Sequence, residues 1–138
     1  MSDPNCLFCK IVAGQVPCFK VYEDARVLAF LDIGPLSVGH TLIIPKTHYK
    51  QLDEMPAEDA AACMAIAPKL AKAVMGATGA PGYNILQNNG RVAHQAVMHV
   101  HFHIIPKTDA AGLGITWPAG KLSPEDAKPL ISAIQGRL

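Results

Sequence analysis

The segment His99-Val100-His101-Phe102-His103-Ile104-Ile105 places an imidazole at every second position. Side chains on a β-strand alternate between faces. An extended chain here therefore puts His99, His101 and His103 on one face, and Val100, Phe102 and Ile104 on the other. Adjacent imidazoles on that face are expected roughly 6.5–7 Å apart, two strand rises. Rings of this kind serve as nucleophiles, proton donors or metal ligands, and their closeness couples their titration. Three histidines on one face also suit a catalytic zinc of the three-histidine type. A second group able to do chemistry is the pair Cys6 and Cys9, whose C-x-x-C spacing fits a metal site or a redox pair. No thioredoxin-like βαβ pattern surrounds it. Cys18 and Cys63 read as small apolar residues.

These groups need a scaffold, and the chain supplies the signals for one. Leu7–Ala13 is a short helix that stops at Gly14. Phe19–Glu23 and Val27–Asp32 are strands separated by the turn Glu23-Asp24. His40–Pro45 is a third strand, whose Leu42-Ile43-Ile44 run implies burial on both faces. Pro56 opens the main helix, Ala57 to about Gly76, with Met64, Ala67, Leu70, Ala71, Val74 and Met75 near one stripe. Pro68 predicts a kink or a break in it. Tyr83–Gln87 is a fourth strand, Asn88-Asn89-Gly90 a turn, and Met98–Ile105 a fifth strand closed by Pro106. Ser123-Pro124-Glu125-Asp126 caps a final helix, with Ile131, Ile134 and Leu138 on one side. Short connections between the first strands suit antiparallel neighbours. The fold class is α+β, one main helix on a mostly antiparallel five-stranded sheet with short terminal helices. Residues 1–138 read as a single domain, with a core over about 6–106 and a tail over 107–138.

Half of the 138 residues are hydrophobic and 17% are charged, with a formal net charge of +1. That composition excludes a disordered chain and gives no basic field for nucleic acid. No apolar run approaches the roughly 18 residues of a membrane span. The first residues carry no signal-peptide pattern, so a cytoplasmic location is expected.

The seven residues His99–Ile105 match, at every position, the His-φ-His-φ-His-φ-φ motif of the histidine triad (HIT) family, φ being apolar. The chain also resembles the Hint branch in Cys6–Ile11, Leu28–Ile33, Gly39–His48, Tyr83–Gly90 and Ala93–Val97, so that the resemblance covers about residues 6–118. Members of that branch are purine nucleoside phosphoramidases. The resemblance implies that His101 is the nucleophile and attacks the α-phosphorus to form a nucleotidyl-histidine. It makes His103 a donor to the phosphate or leaving group, with His99 as the first triad member and His40 bonded within the cluster. Asn88 and Gln95 match positions that contact the phosphate or the leaving-group oxygen. Asp32 matches the residue that binds the ribose hydroxyls, and Phe8, Ile11, Phe30 and Ile33 match the apolar slot for the purine. Ala96 and Val97 fall in the phosphate-binding segment. The branch often has Ser at the position of Ala96, which offers only a backbone N–H there. No Mg²⁺ is expected to be needed if these donors neutralise the phosphate.

Similarity to microbial and fungal members with an N-terminal C-x-x-C implies a structural Zn²⁺ on Cys6, Cys9, His48 and His99, a closed four-ligand site. The branch's homodimer implies two sheets joined as ten strands, with Trp117 of the pair Trp117-Pro118 reaching the nucleotide site of the partner. Part of the apolar excess would then be interface. Two other readings stay open: a dinucleoside polyphosphate hydrolase of the Fhit type, and a non-catalytic nucleotide-binding scaffold.

Overall fold

The computed structural model describes residues 1–138. Helix α1 (Leu7–Val12) is followed by strands β1 (Lys20–Glu23), β2 (Val27–Leu31) and β3 (Thr41–Pro45). Helix α2 (Ala57–Thr78), strands β4 (Gly82–Gln87) and β5 (Phe102–Lys107), and helix α3 (Pro124–Gln135) complete the chain. The five strands form one sheet in the order β1-β2-β3-β5-β4, with every neighbouring pair antiparallel. The expected α+β architecture is the one observed.

The alternation of side chains divides the interior into two layers. Val27, Ala29, Ile43, Val100, Phe102 and Ile104 meet the buried face of α2, formed by Cys63, Ile66, Ala67, Leu70 and Ala71. On the opposite face, Leu28, Phe30, Leu42 and Ile44 pack against Phe8, Cys6 and Cys9 at the start of the chain. β3 is buried along its whole length, because α2 covers one side of it and α1 the other. Each fully buried Ile or Val here stabilises the fold by about 1.5–3 kcal/mol through area removed from water.

Several details differ from the sequence reading. α2 runs unbroken through Pro68. Pro68 and Met64 both lie on the exposed side, so the Met64 carbonyl that loses its helical partner can turn to water. The buried stripe includes Cys63 and Ile66, whereas Met64 faces out. At 22 residues α2 is also long and apolar enough to meet the length criterion for a bilayer span, which Lys69 and Lys72 conceal in a search for uninterrupted apolar runs. In this fold its inner stripe packs on the sheet.

The strand expected over Met98–Ile105 begins only at Phe102. Upstream, the Val100 N–H donates to the Tyr49 carbonyl and the His99 N–H to the Val97 carbonyl. Those bonds replace a ladder while leaving the chain alternating. α3 is capped by the Ser123 hydroxyl, which accepts from the Asp126 N–H at 3.2 Å. No residue of α3 is buried, so its apolar side, including Ile131 and Ile134, docks nowhere on its own chain.

Candidate functional site

Two centres share the face of the sheet under α1, and His99 belongs to both. In the first, the C-x-x-C pair sits at the start of α1. Cys6 is its N-cap, and the Cys6 Sγ accepts from the Cys9 N–H at 3.4 Å. A three-residue spacing on a helix brings both sulfurs to one side. The Nδ1 of His99 lies 3.4 Å from the Cys6 Sγ and 3.6 Å from the Cys9 Sγ. The Nδ1 of His48 lies 3.4 Å from the Cys9 Sγ and 3.2 Å from the Nδ1 of His99. A tetrahedral Zn²⁺ with ordinary bond lengths would set its nitrogens about 3.3 Å apart and each nitrogen about 3.5 Å from a sulfur.

The His99 Nε2–H donates to the Pro45 carbonyl at 2.8 Å, which leaves the lone pair on Nδ1 aimed at the sulfurs. All four donor atoms lie within 4.8 Å of one another. Two sulfurs and two imidazole lone pairs at these separations fit a structural zinc and leave no fifth partner. Burial pushes the Cys6 thiol up, opposed by the backbone N–H groups of Cys9 and Phe8. Burial also pushes His99 down to about 4, so that its ring is a neutral ligand.

In the second centre, hydrogen bonds fix which nitrogen carries each proton. The His101 Nδ1 lies 2.7 Å from the carbonyl oxygen of His99. A carbonyl only accepts, so Nδ1 bears the hydrogen and Nε2 keeps its lone pair. The backbone N–H of Leu36 donates to the His40 Nδ1 at 3.1 Å. His40 is therefore protonated at Nε2, which donates to the His103 Nδ1 at 2.8 Å. His103 in turn carries its hydrogen on Nε2. One ring thus presents a lone pair, and its neighbour presents a donor.

The rings of His101 and His103 are 4.9 Å apart between centroids, closer than the strand spacing suggests. Each ring is held at its Nδ1, His101 by the His99 carbonyl and His103 by the His40 Nε2–H. Phe8 stands edge-on to His101 at 5.1 Å and to His99 at 5.8 Å. Burial pushes His101 and His40 down, and His103 down to about 4. For His103 the neighbouring His101 and His40 add to the effect.

Gly39 sets His40 in place. Its φ is +89°, and a Cβ there would lie 2.6 Å from the Thr78 methyl at the end of α2. Only glycine meets both conditions.

Beside these rings lies a cavity of about 320 Å³, lined by 16 residues of which 11 are hydrophobic. Among the expected residues, Phe8, Ile11, Phe30 and Ile33 form apolar wall. Asp32, Ala96, Val97, His101 and His103 also line it. The Asp32 Oδ1 accepts from the Gly34 N–H at 2.8 Å, and its Oδ2 lies 3.5 Å from the His40 Nε2. A size of a few hundred Å³, apolar walls and a few convergent polar groups are the marks of a small-molecule site.

Two expected contacts, Gln95 and Asn88, are not brought to this cavity. Gln95 is 2% exposed. Its Oε1 accepts from the Gly90 N–H at 2.7 Å, and its Nε2 donates to the carbonyls of Lys50 at 2.7 Å and Val97 at 3.2 Å. That amide has no capacity left for a phosphate; it clasps three stretches of backbone. Asn88 lies off the cavity wall, its Nδ2 donating to the His94 carbonyl at 3.5 Å. Trp117, expected at the partner's site, is 83% exposed and does not line its own chain's cavity.

The cavity also has walls that the sequence reading did not assign. Val16, Pro17 and Cys18 close it beyond α1, and Leu7, Leu31 and Leu42 contribute from α1 and the sheet. The apolar Val16-Pro17-Cys18 run directly after the helix bearing Phe8 and Ile11 was the available signal. The last is His94, the only non-glycine residue with positive φ, at 68°.

Comparison with known proteins agrees with this geometry. The HIT domain family model matches residues 13–110. Adenosine 5'-monophosphoramidase hnt1 of Schizosaccharomyces pombe is 49% identical over 135 residues, covering 97% of this chain and 98% of that protein. The crystal structure of a HIT family protein from Bacillus anthracis is 39% identical, with a TM-score of 0.94 over 99% of both chains. That of a histidine triad nucleotide-binding protein from Candida albicans is 43% identical, with a TM-score of 0.88 over 96% of both.

Proposed function

This chain belongs to the HIT domain family, and on that premise we propose that it is a hydrolase that cleaves the P–N bond of purine nucleoside 5'-phosphoramidates. The observation that carries this reading is the opposed pair of tautomers, a lone pair on the His101 Nε2 beside an N–H on the His103 Nε2. The purine enters the slot between Phe8, Ile11, Phe30 and Ile33, and the Asp32 carboxylate accepts from the ribose hydroxyls.

The His101 Nε2 attacks phosphorus as the P–N bond breaks. The electron pair of that bond leaves on the amine nitrogen, which takes the His103 proton. The nucleotidyl group is then held on His101. Water attacks phosphorus next, gives one proton to His103, and the His101 Nε2 departs with its lone pair. The sum is phosphoramidate plus water to amine plus nucleoside 5'-monophosphate. Splitting one difficult displacement into two easier ones is the gain of nucleophilic catalysis, and a neutral imidazole is competent for it near pH 7.

Cys6, Cys9, His48 and His99 would hold a structural zinc. Such an ion supplies a cross-link between the N-terminal segment and the sheet rather than a reacting group. The donor set and its spacing support this. A homodimer is also proposed, in the cytoplasm. Its support is the edge strand β4, with Tyr83 and Ile85 half exposed, and the undocked apolar side of α3. Light scattering at micromolar concentration should report twice the chain mass; a strict monomer rejects it.

The activity is tested by giving the protein an AMP–amine conjugate and a diadenosine polyphosphate side by side. Faster release of amine, lost in His101→Ala, supports the phosphoramidase. Faster cleavage of the polyphosphate moves the assignment to a dinucleoside polyphosphate hydrolase. Binding without turnover of either leaves a nucleotide-binding scaffold.

A further inference from the structure

A phosphoryl group bound beside His101 brings negative charge into a largely apolar cavity, and few side chains there can answer it. No Lys or Arg lines the cavity. The His101 Nε2 is the nucleophile and carries no hydrogen. Asp32 is an acceptor. The Gln95 amide is consumed by the backbone of Gly90, Lys50 and Val97, and Ala96 has no polar side-chain atom. His103 provides one N–H. The one other nitrogen-bearing side chain on the wall is that of His94.

His94 is held where it is by both of its backbone groups. Its N–H donates to the Arg91 carbonyl at 3.0 Å, and its carbonyl accepts from the Asn88 Nδ2. The Gln95 clasp ties the next residue to Gly90 through both main chain and side chain. The resulting φ of 68° is a left-handed conformation that glycine adopts at no steric cost. The chain nonetheless carries a histidine there, on the cavity wall. Residues held in such conformations concentrate at ligand-binding sites, because the surrounding structure must over-determine them.

We propose that His94 is a phosphate-contacting residue: its imidazole donates an N–H to a non-bridging oxygen of the substrate's phosphoryl group, in place of the side-chain donor that Ala96 lacks. An imidazole has at least one N–H in every protonation state found in proteins, so the contact needs no change of charge. Donors placed where charge develops on phosphorus stabilise the transition state as well as the bound substrate. The inference rests on the phosphoramidase reading above.

The experiment compares wild type with His94→Gly, which relaxes the backbone, and His94→Asn, which keeps an amide donor and tolerates positive φ. Each is assayed with an AMP–amine conjugate, and AMP and adenosine are titrated as competing ligands. His94→Gly should lower kcat/KM by about 30-fold, the range of a lost hydrogen bond to a charged group. It should weaken AMP by at least several-fold and leave adenosine unchanged. His94→Asn should stay within about 3-fold of wild type, as expected where a donor is retained. Adding Ala96→Ser to His94→Gly should recover most of the loss.

Unchanged kcat/KM in His94→Gly overturns the proposal. So does an equal loss of AMP and adenosine affinity, since a merely structural role moves both. If wild type fails to turn over the conjugate, the activity reading fails on its own. The AMP-against-adenosine comparison then still decides the role of His94.

Discussion

The carbonyl oxygen of His99 lies 2.7 Å from the Nδ1 of His101, while the His99 ring sits among Cys6, Cys9 and His48. One residue therefore joins the sulfur–imidazole cluster to His101, the proposed nucleophile. Its main chain fixes the tautomer of His101, and its side chain is anchored by groups more than fifty positions away in sequence. Any displacement of His99 is passed to His101 through a single hydrogen bond.

Removing one ligand should therefore act at a distance from the substrate. Cys6→Ser is expected to lose the metal, with elemental analysis falling from about one zinc per chain to near none, and to lower the melting temperature. kcat should fall more than substrate affinity, by about 10- to 100-fold, the usual scale for losing a group that orients a functional ligand. Zinc absent from wild-type protein purified without chelator would reject the site.

The path from the Leu36 N–H through His40 to His103 predicts a proton-donor defect. His40→Ala should free the His103 Nδ1 to take up a hydrogen, so that its Nε2 no longer presents a donor. Loss of one acid–base partner typically costs about 10²- to 10⁴-fold in kcat. Conjugates whose amine leaves readily without protonation should be affected least. A loss equal for good and poor leaving groups would contradict the assigned tautomers.

pH acts on the same rings. Burial holds His103 at about 4, against an ordinary histidine value of 6.5. Between these values the unfolded chain binds a proton that the folded chain refuses, so stability rises with pH across that window. The contribution is complete above pH 6.5 and is lost as pH falls toward 4. Unfolding in denaturant at pH 7.5, 6 and 5 should show a decreasing midpoint. The decrease should be smaller in His103→Asn.

Gln95 offers a stability test rather than a kinetic one. Gln95→Ala takes from the half-buried Gly90 N–H and from the Lys50 carbonyl the side-chain partner that each has in the fold. An ordinary intramolecular hydrogen bond contributes about 0.5–1.5 kcal/mol, so the variant should unfold at lower denaturant. Gln95→Glu restores the acceptor for Gly90 yet loses both donated bonds, and should be no more stable. A variant as stable as wild type would return Gln95 to the substrate.

Much of this protein was legible in the chain itself. Period-two alternation placed Val100, Phe102 and Ile104 in one layer and the three histidines opposite, because strand geometry depends only on neighbouring residues. The same local rules found α1, the Ser123 cap and the order of elements, and the triad motif carried the family. What local rules could not supply was every relation between residues distant in sequence. His99 meets Cys6 across 93 positions and His40 meets His103 across 63, and those contacts decide which nitrogens hold hydrogens. The side chain of Gln95 looked like a substrate contact until the fold brought Lys50 to it across 45 positions. The type of a residue sets what bonds it can make; the tertiary structure decides which partners arrive, and only a polar group left with spare capacity can serve a substrate.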